Sequence, residues 1–190
     1  DVPAPLDAYG ESKMEAEQGL RELAAQTGME VVIIRPPLVY GPGVKANFES
    51  MMTWLRRPLP LPFGALSNRR SLVALANLVD FLVLVARHPK AANRVLLISD
   101  GRDLSLSELM TLLRDRLGGR AVLFPIPMRL LRHVGALLGR KAYVERLCSS
   151  LQVDVSSVCR ELGWHPVVSP EEALSQLASS TTQSGGVDHA

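Results

Sequence analysis

The chain has 190 residues, 47% of them hydrophobic and 21% charged, with a formal net charge of +2. That balance belongs to a globular chain rather than a disordered one, and a charge so near zero names no polyanionic partner. No apolar run approaches the roughly 20 residues needed to span a bilayer, and the opening Asp1-Val2-Pro3-Ala4-Pro5 has neither the basic start nor the apolar core of a signal peptide. Cys148 and Cys159 lack metal-ligand spacing, and a reducing cytoplasm with both thiols free is the simplest expectation.

Apolar periodicity switches repeatedly between helix and strand, which predicts an α/β class. Tyr9, Lys13, Ala16, Leu20, Leu23 and Ala24 recur at helical spacing, so a helix is expected over 9–26, stopped by Gly28. Val31-Val32-Ile33-Ile34 reads as a parallel strand buried on both faces, ended by Arg35-Pro36-Pro37. A loop is expected through Tyr40-Gly41-Pro42-Gly43, then a helix over 48–55 and an extended proline-rich connection over 58–62. A strand over 71–75, a helix over 77–87 and a strand over 94–99 follow. Ser105 and Glu108 form a capping box for a helix reaching Leu117, and residues 122–126 suit one more strand. Ser169-Pro170-Glu171-Glu172 has the N-cap, proline and first-turn acids of a helix start, and the last ten or so residues read as a disordered tail.

The most informative feature is Tyr9-Gly10-Glu11-Ser12-Lys13. Residues four apart on a helix share a face, so the phenol and the ammonium are neighbours. A free tyrosine titrates near pH 10 and is a poor base at neutrality, whereas a cation held close favours the phenolate. Such a tyrosine can take a proton from a sugar hydroxyl while the same carbon gives up a hydride, or return it in the reverse direction. A Tyr and a Lys four apart also arise by chance, so the pair gains its meaning from context.

Pro3, Pro5, Tyr9, Gly10, Ser12 and Lys13, a helix, a strand, and then Arg35-Pro36-Pro37-Leu38-Val39-Tyr40-Gly41-Pro42-Gly43 resemble the extended short-chain dehydrogenase/reductase family. More narrowly, they are similar to its NAD-dependent epimerase/dehydratase branch, and Leu162-Gly163-Trp164-His165-Pro166 near the end is a further hallmark, expected to serve packing. The resemblance runs from Pro3 to about Leu177 and implies Tyr9 as acid/base and Lys13 as its helper and a contact to the nicotinamide ribose. It implies NAD or NADP as cofactor, flanked at its nicotinamide end by Pro36, Leu38 and Val39. It also implies that Asn47 contacts a bound sugar nucleotide, Arg70 binds its diphosphate and Arg146 is a second nucleotide contact. Asn47 equally suits a helix cap, and Arg69 leaves the register of the diphosphate arginine open by one residue. Ser71 and Asn77 stand where that branch usually carries acids.

The architecture so implied is the C-terminal part of a Rossmann-like doubly wound parallel sheet plus a small α/β substrate-binding domain. Residues 1–45 would end the cofactor domain, 46–178 would be mainly substrate-binding with segments returning to the sheet, and 179–190 a flexible tail. No G-x-G-x-x-G occurs, so the pyrophosphate cradle is expected upstream, in a longer protein of which this chain is a fragment. The run Arg70-Ser71-Leu72-Val73, Arg146 and the Ser-Leu-x-Val-Asp segment are most similar to enzymes of O-antigen and surface-polysaccharide pathways. The implied function is C4 epimerisation or 4-keto reduction of a UDP-hexose or UDP-N-acetylhexosamine, in a cytoplasmic homodimer. A same-family reductase of a non-nucleotide carbonyl or hydroxysteroid, and a non-catalytic relative, are the alternatives.

Eight basic residues against two acids between Arg114 and Arg146 suit a membrane surface or a nucleic acid. No aromatic interleaving supports nucleic acid, so a solvated face with phosphate contacts is the expectation. The four histidines are scattered and suggest no metal site, and Trp54 and Trp164 read as core or hydrophobic cover.

Overall fold

The computed structural model describes residues 8–43 and 47–184, apart from the side chains of Asn47, Arg146 and 182–184. Its first half runs α1 (Ala8–Thr27), β1 (Val32–Arg35), β2 (Leu38–Tyr40), α2 (Asn47–Arg56), β3 (Pro60–Leu61), β4 (Leu72–Ala74) and α3 (Leu75–Val85). The second runs β5 (Arg94–Leu97), α4 (Leu106–Leu117), β6 (Val122–Leu123), α5 (Met128–Leu137), α6 (Lys141–Cys148), α7 (Ser156–Leu162) and α8 (Pro170–Ser184). The strands pair in parallel as β1 with β5, β2 with β4, and β3 with β6.

Several elements follow from local chemistry. At α4 both halves of the capping box form, and Gly118 closes the helix at φ 59°. Ser169 and Glu172 reciprocate at the start of α8: the Ser169 N–H donates to Glu172 Oε2 at 2.8 Å and the Glu172 N–H to Ser169 Oγ at 3.3 Å.

The structure departs from expectation at several places. Leu38–Tyr40 is a strand rather than a loop, registered Leu38 to Leu72 and Tyr40 to Ala74, because the chain resumes pairing with a different neighbour after Pro36-Pro37. In β1 only Ile33 is buried, since among the described residues β1 pairs with β5 alone. The strand expected over 122–126 shortens to Val122–Leu123, and the helices α5, α6 and α7 went unforeseen. Finally, α8 continues through Ser184, into the stretch expected as tail.

Two apolar clusters lie behind these elements. One gathers Tyr40, Phe48, Leu55, Leu104, Met110 and Leu174. The other gathers Val73, Phe81, Leu96, Ile98, Leu162 and Trp164. Trp164 packs edge-on against Phe81 at 5.0 Å and donates its indole N–H to Asp80 at 2.9 Å, so the Leu-Gly-Trp ending is a packing device. Trp54, by contrast, is 39% exposed and is surface cover rather than core.

A buried polar junction joins distant parts of the chain. The Asp100 carboxylate accepts from the Tyr40 hydroxyl at 2.8 Å, the Ala74 N–H at 2.8 Å and Asn77 Nδ2 at 2.7 Å. Asn77 also donates to the Val168 carbonyl, and its Oδ1 accepts from the N–H groups of Val167 and Val168. Burial pushes the Asp100 carboxyl above its ordinary range, against the three donors, and burial beside Asp100 drives the Tyr40 phenol upward.

Asp100→Ala strands these donors and is expected to lower the unfolding free energy of the full-length protein by about 3 kcal/mol, read by urea denaturation. Asp100→Asn keeps an acceptor for Ala74 and Asn77 and can donate to Tyr40, so it is expected to retain most of the stability. Because the folded pKa of Asp100 is raised, its contribution is full below the ordinary carboxylate value and declines as pH rises through the folded value. Asp100→Asn is therefore expected to remove that decline from the stability–pH profile.

Candidate active site

Glu17, midway along α1, receives Arg35 at the end of β1 bidentately, Nε at 2.8 Å and Nη2 at 2.6 Å. This contact holds Glu17 below the usual carboxylate range and lifts Arg35. The C-terminal turns of α1 (Arg21, Ala24, Gly28) share a groove with Val31 and Ile33 at the start of β1, so α1 runs antiparallel to the strand. Tyr9 lies eight residues before Glu17, about 12 Å toward the N-terminal end of α1 at 1.5 Å per residue.

There Tyr9 and Lys13 share a face as the spacing predicts, with Lys13 Nζ 5.4 Å from the Tyr9 ring centroid. Tyr9 is 71% exposed and α1 contributes no buried residue. Pro36 and Leu38 are exposed and Val39 is half-buried, on the turn and strand that leave the carboxyl end of β1. Gly41 follows at φ 148°, and a Cβ there would lie 2.9 Å from Leu75 Cβ, so glycine lets β2 close on the start of α3. A solvent-facing phenol and ammonium on α1, and a strand end with exposed Pro36 and Leu38, are groups of the kind that can border the nicotinamide end of a dinucleotide.

The second group of expected residues lies on another seam. The backbone of Arg70 bridges Leu104 on one side and Leu151 on the other, and Arg70 Nη2 donates to Ser149 Oγ at 3.4 Å. Arg69 is exposed while Arg70 is half-buried against the Ser149 segment, so the two arginines differ in setting. Asn68 binds the same segment through the carbonyls of Leu147 and Ser149, at 3.1 and 3.2 Å, and caps the Leu106 N–H at 3.0 Å. The fold thus brings Arg70 to the segment following Arg146, although 76 residues separate the two arginines. The side chains of Asn47 and Arg146 lie outside the described residues, as do Pro3 and Pro5. The backbone of Asn47 begins α2.

The two departures from the acidic pattern have physical reasons. Ser71 Oγ donates to Asp103 at 2.6 Å and accepts from the Val153 N–H at 2.8 Å, so the carboxylate at this seam comes from Asp103. Asn77 donates and accepts at once, which an ionised acid cannot do. Asn68, Asp100 and Asp103 escaped the sequence reading because their partners lie 23 to 81 residues away. Among the described residues no group of three His, Cys, Asp or Glu side chains could hold a metal ion.

The family model for the NAD dependent epimerase/dehydratase family matches residues 1–99. A UDP-glucose 4-epimerase of Vibrio cholerae is 47% identical over 184 residues, 96% of this chain and 56% of its own. An N-acetyl-alpha-D-glucosaminyl-diphospho-ditrans,octacis-undecaprenol 4-epimerase of Escherichia coli O157:H7 is 25% identical, over 81% of this chain and 51% of its own. Among solved structures, UDP-glucuronic acid 4-epimerase from Bacillus cereus in complex with NAD superposes with a TM-score of 0.74 at 19% identity, covering 96% of this chain and 54% of that one. The chain spans about half the length of the curated relatives it matches, and its fold is Rossmann-type. With its Tyr-x-x-x-Lys helix, its proline-ended strand and this match over half its length, the chain belongs to the NAD dependent epimerase/dehydratase family.

Proposed function

We propose that the protein carrying this chain inverts the configuration at C4 of a UDP-linked hexose or N-acetylhexosamine. The observation that carries the reading is the solvent-facing Tyr9–Lys13 pair on one face of α1. The V. cholerae relative, named a UDP-glucose 4-epimerase, supports it across nearly the whole chain. A nicotinamide cofactor, when bound, supplies a hydride acceptor and donor for one sugar carbon. Tyr9 Oη holds the proton taken from the C4 hydroxyl and returns it to the same oxygen. The Lys13 ammonium offsets charge on the phenol and donates to the ribose hydroxyls. Pro36, Leu38 and Val39 border the nicotinamide, Asn47 and Arg146 touch the sugar nucleotide, and the planar fork of Arg70 pairs with diphosphate oxygens.

The reading includes a division of the chain near residue 45 between cofactor-binding and substrate-binding parts, a homodimeric cytoplasmic enzyme, and a role in surface polysaccharide synthesis. No described helix is long and apolar enough to cross a membrane. Reduction of a 4-keto sugar uses the same tyrosine and lysine and is separated from epimerisation by whether reductant is consumed.

The full-length protein, given UDP-N-acetylglucosamine or UDP-glucose and no reductant, is expected to yield the galacto epimer, followed by NMR at C4. Consumption of NAD(P)H only when a 4-keto-6-deoxy UDP-sugar is supplied would replace epimerisation by reduction, and silence with every sugar nucleotide would sink the proposal. Tyr9→Phe is expected to lower kcat about 10²- to 10⁴-fold with KM little changed. Arg70→Ala is expected to raise KM about 10- to 100-fold, with Arg70→Lys recovering part of the loss.

A further inference from the structure

The α5–α6 hairpin exposes a run of apolar side chains at its tip among the described residues. Met128, Leu131 and Gly135 of α5 turn inward, and Val144 and Cys148 of α6 meet them in the larger cluster. Contact at the crossing is tight: a Cβ on Gly135 would lie 2.5 Å from Val144 Cγ2. With that face committed, Leu130, Val134 and Leu137, spaced i, i+4 and i+7, form an outer stripe that is 52%, 43% and 87% exposed. Leu138 follows at 72% exposure, Gly139 turns the chain at φ 67°, and Tyr143 of α6 is 52% exposed beside them.

Charge distinguishes this surface from the exposed apolar positions of α1 and α3. Between Arg116 and Val144 the sequence has no Asp or Glu, while Arg129, Arg132, Arg140 and Lys141 lie on the hairpin itself. Leu20 and Leu23 on α1 are also exposed, but near Glu15 and Glu22, and Val79 and Val83 on α3 flank Asp80. Two leucines at a tip, basic residues on either side and a nearby tyrosine form the pattern of a segment lying in a membrane interface rather than crossing it.

We infer that the α5–α6 hairpin docks the protein on an anionic lipid bilayer, with Leu137 and Leu138 entering the headgroup region and Arg140 and Lys141 pairing with lipid phosphates. Leu137, Leu138, Arg140 and Lys141 are not among the residues proposed to hold the cofactor or the sugar nucleotide, and docking stands whichever sugar the protein processes. It also differs from a membrane span, since α5 has only ten residues.

Cosedimentation of the full-length protein with vesicles of phosphatidylglycerol and phosphatidylethanolamine, against pure phosphatidylcholine, tests the inference. Binding is expected on the anionic vesicles alone and is expected to weaken in 0.5 M NaCl. Leu137→Glu/Leu138→Glu is expected to weaken it about 100-fold, and Arg140→Ala/Lys141→Ala about 30-fold. Because all four side chains are exposed, both variants are expected to keep the parent's circular dichroism and turnover. Should the leucine pair misfold, the arginine–lysine pair and a Leu138→Trp emission shift on vesicle addition still decide. Absence of binding above the phosphatidylcholine background, or binding that none of the variants changes, would overturn the inference. So would a fall in molar mass on light scattering with the leucine pair, which would make the tip a contact between copies of the chain.

Discussion

A single buried carboxylate organises the region where strand ends, a helix start and the turn before α8 converge. Asp100 takes hydrogen bonds from Tyr40, Ala74 and Asn77, and Asn77 passes the connection on to Val167 and Val168. Burying a charge is costly unless every lone pair it presents is engaged, and here three donors from separate segments converge on it. The end of β2 is thereby tied to the start of α3 and to the residue just past β5. Since Pro36–Val39 lead directly into Tyr40, the same junction positions the strand end against which a nicotinamide is proposed to rest.

A second joint, made of smaller groups, builds the seam around Arg70. Ser71, Asp103, Asn68 and Gln152 link the Arg69–Ser71 segment to the residues after α6. Short polar side chains serve well here because they lose little entropy on fixation and satisfy backbone groups that carry no regular ladder. Arg70, whose Nη2 reaches Ser149 Oγ, extends from a backbone bridged to Leu104 and Leu151. Such bracing would suit the diphosphate contact proposed for Arg70, because the partner's freedom is then the main freedom lost.

Exposed apolar side chains lie in different charge settings. Along α1 and α3 the exposed leucines and valines lie near acidic side chains, and α1 itself is fastened to the sheet through the Glu17–Arg35 pair. The α5–α6 tip combines exposed leucines with basic residues and a tight Gly135–Val144 crossing. Equal apolarity therefore has different consequences, since the surrounding charge selects which partner can approach.

Short-range pattern was enough to place most helices and the parallel strands around them, because periodicity, capping boxes and prolines act within a few residues. It also sufficed for the family: Tyr9 and Lys13 share a helix face by geometry alone, and Arg35 through Gly43 form one uninterrupted motif. Pairing across long separations lay beyond such reading. Leu38–Tyr40 is a strand only because Leu72–Ala74 lies beside it, and β1 is half-covered because one edge alone is paired among the described residues. The partners of Asn68, Asp100 and Asp103 were likewise decided by tertiary structure. A hydrogen bond between residues tens of positions apart leaves no periodic trace in the sequence, and burial assigns a polar side chain its role only after the fold has chosen its neighbours.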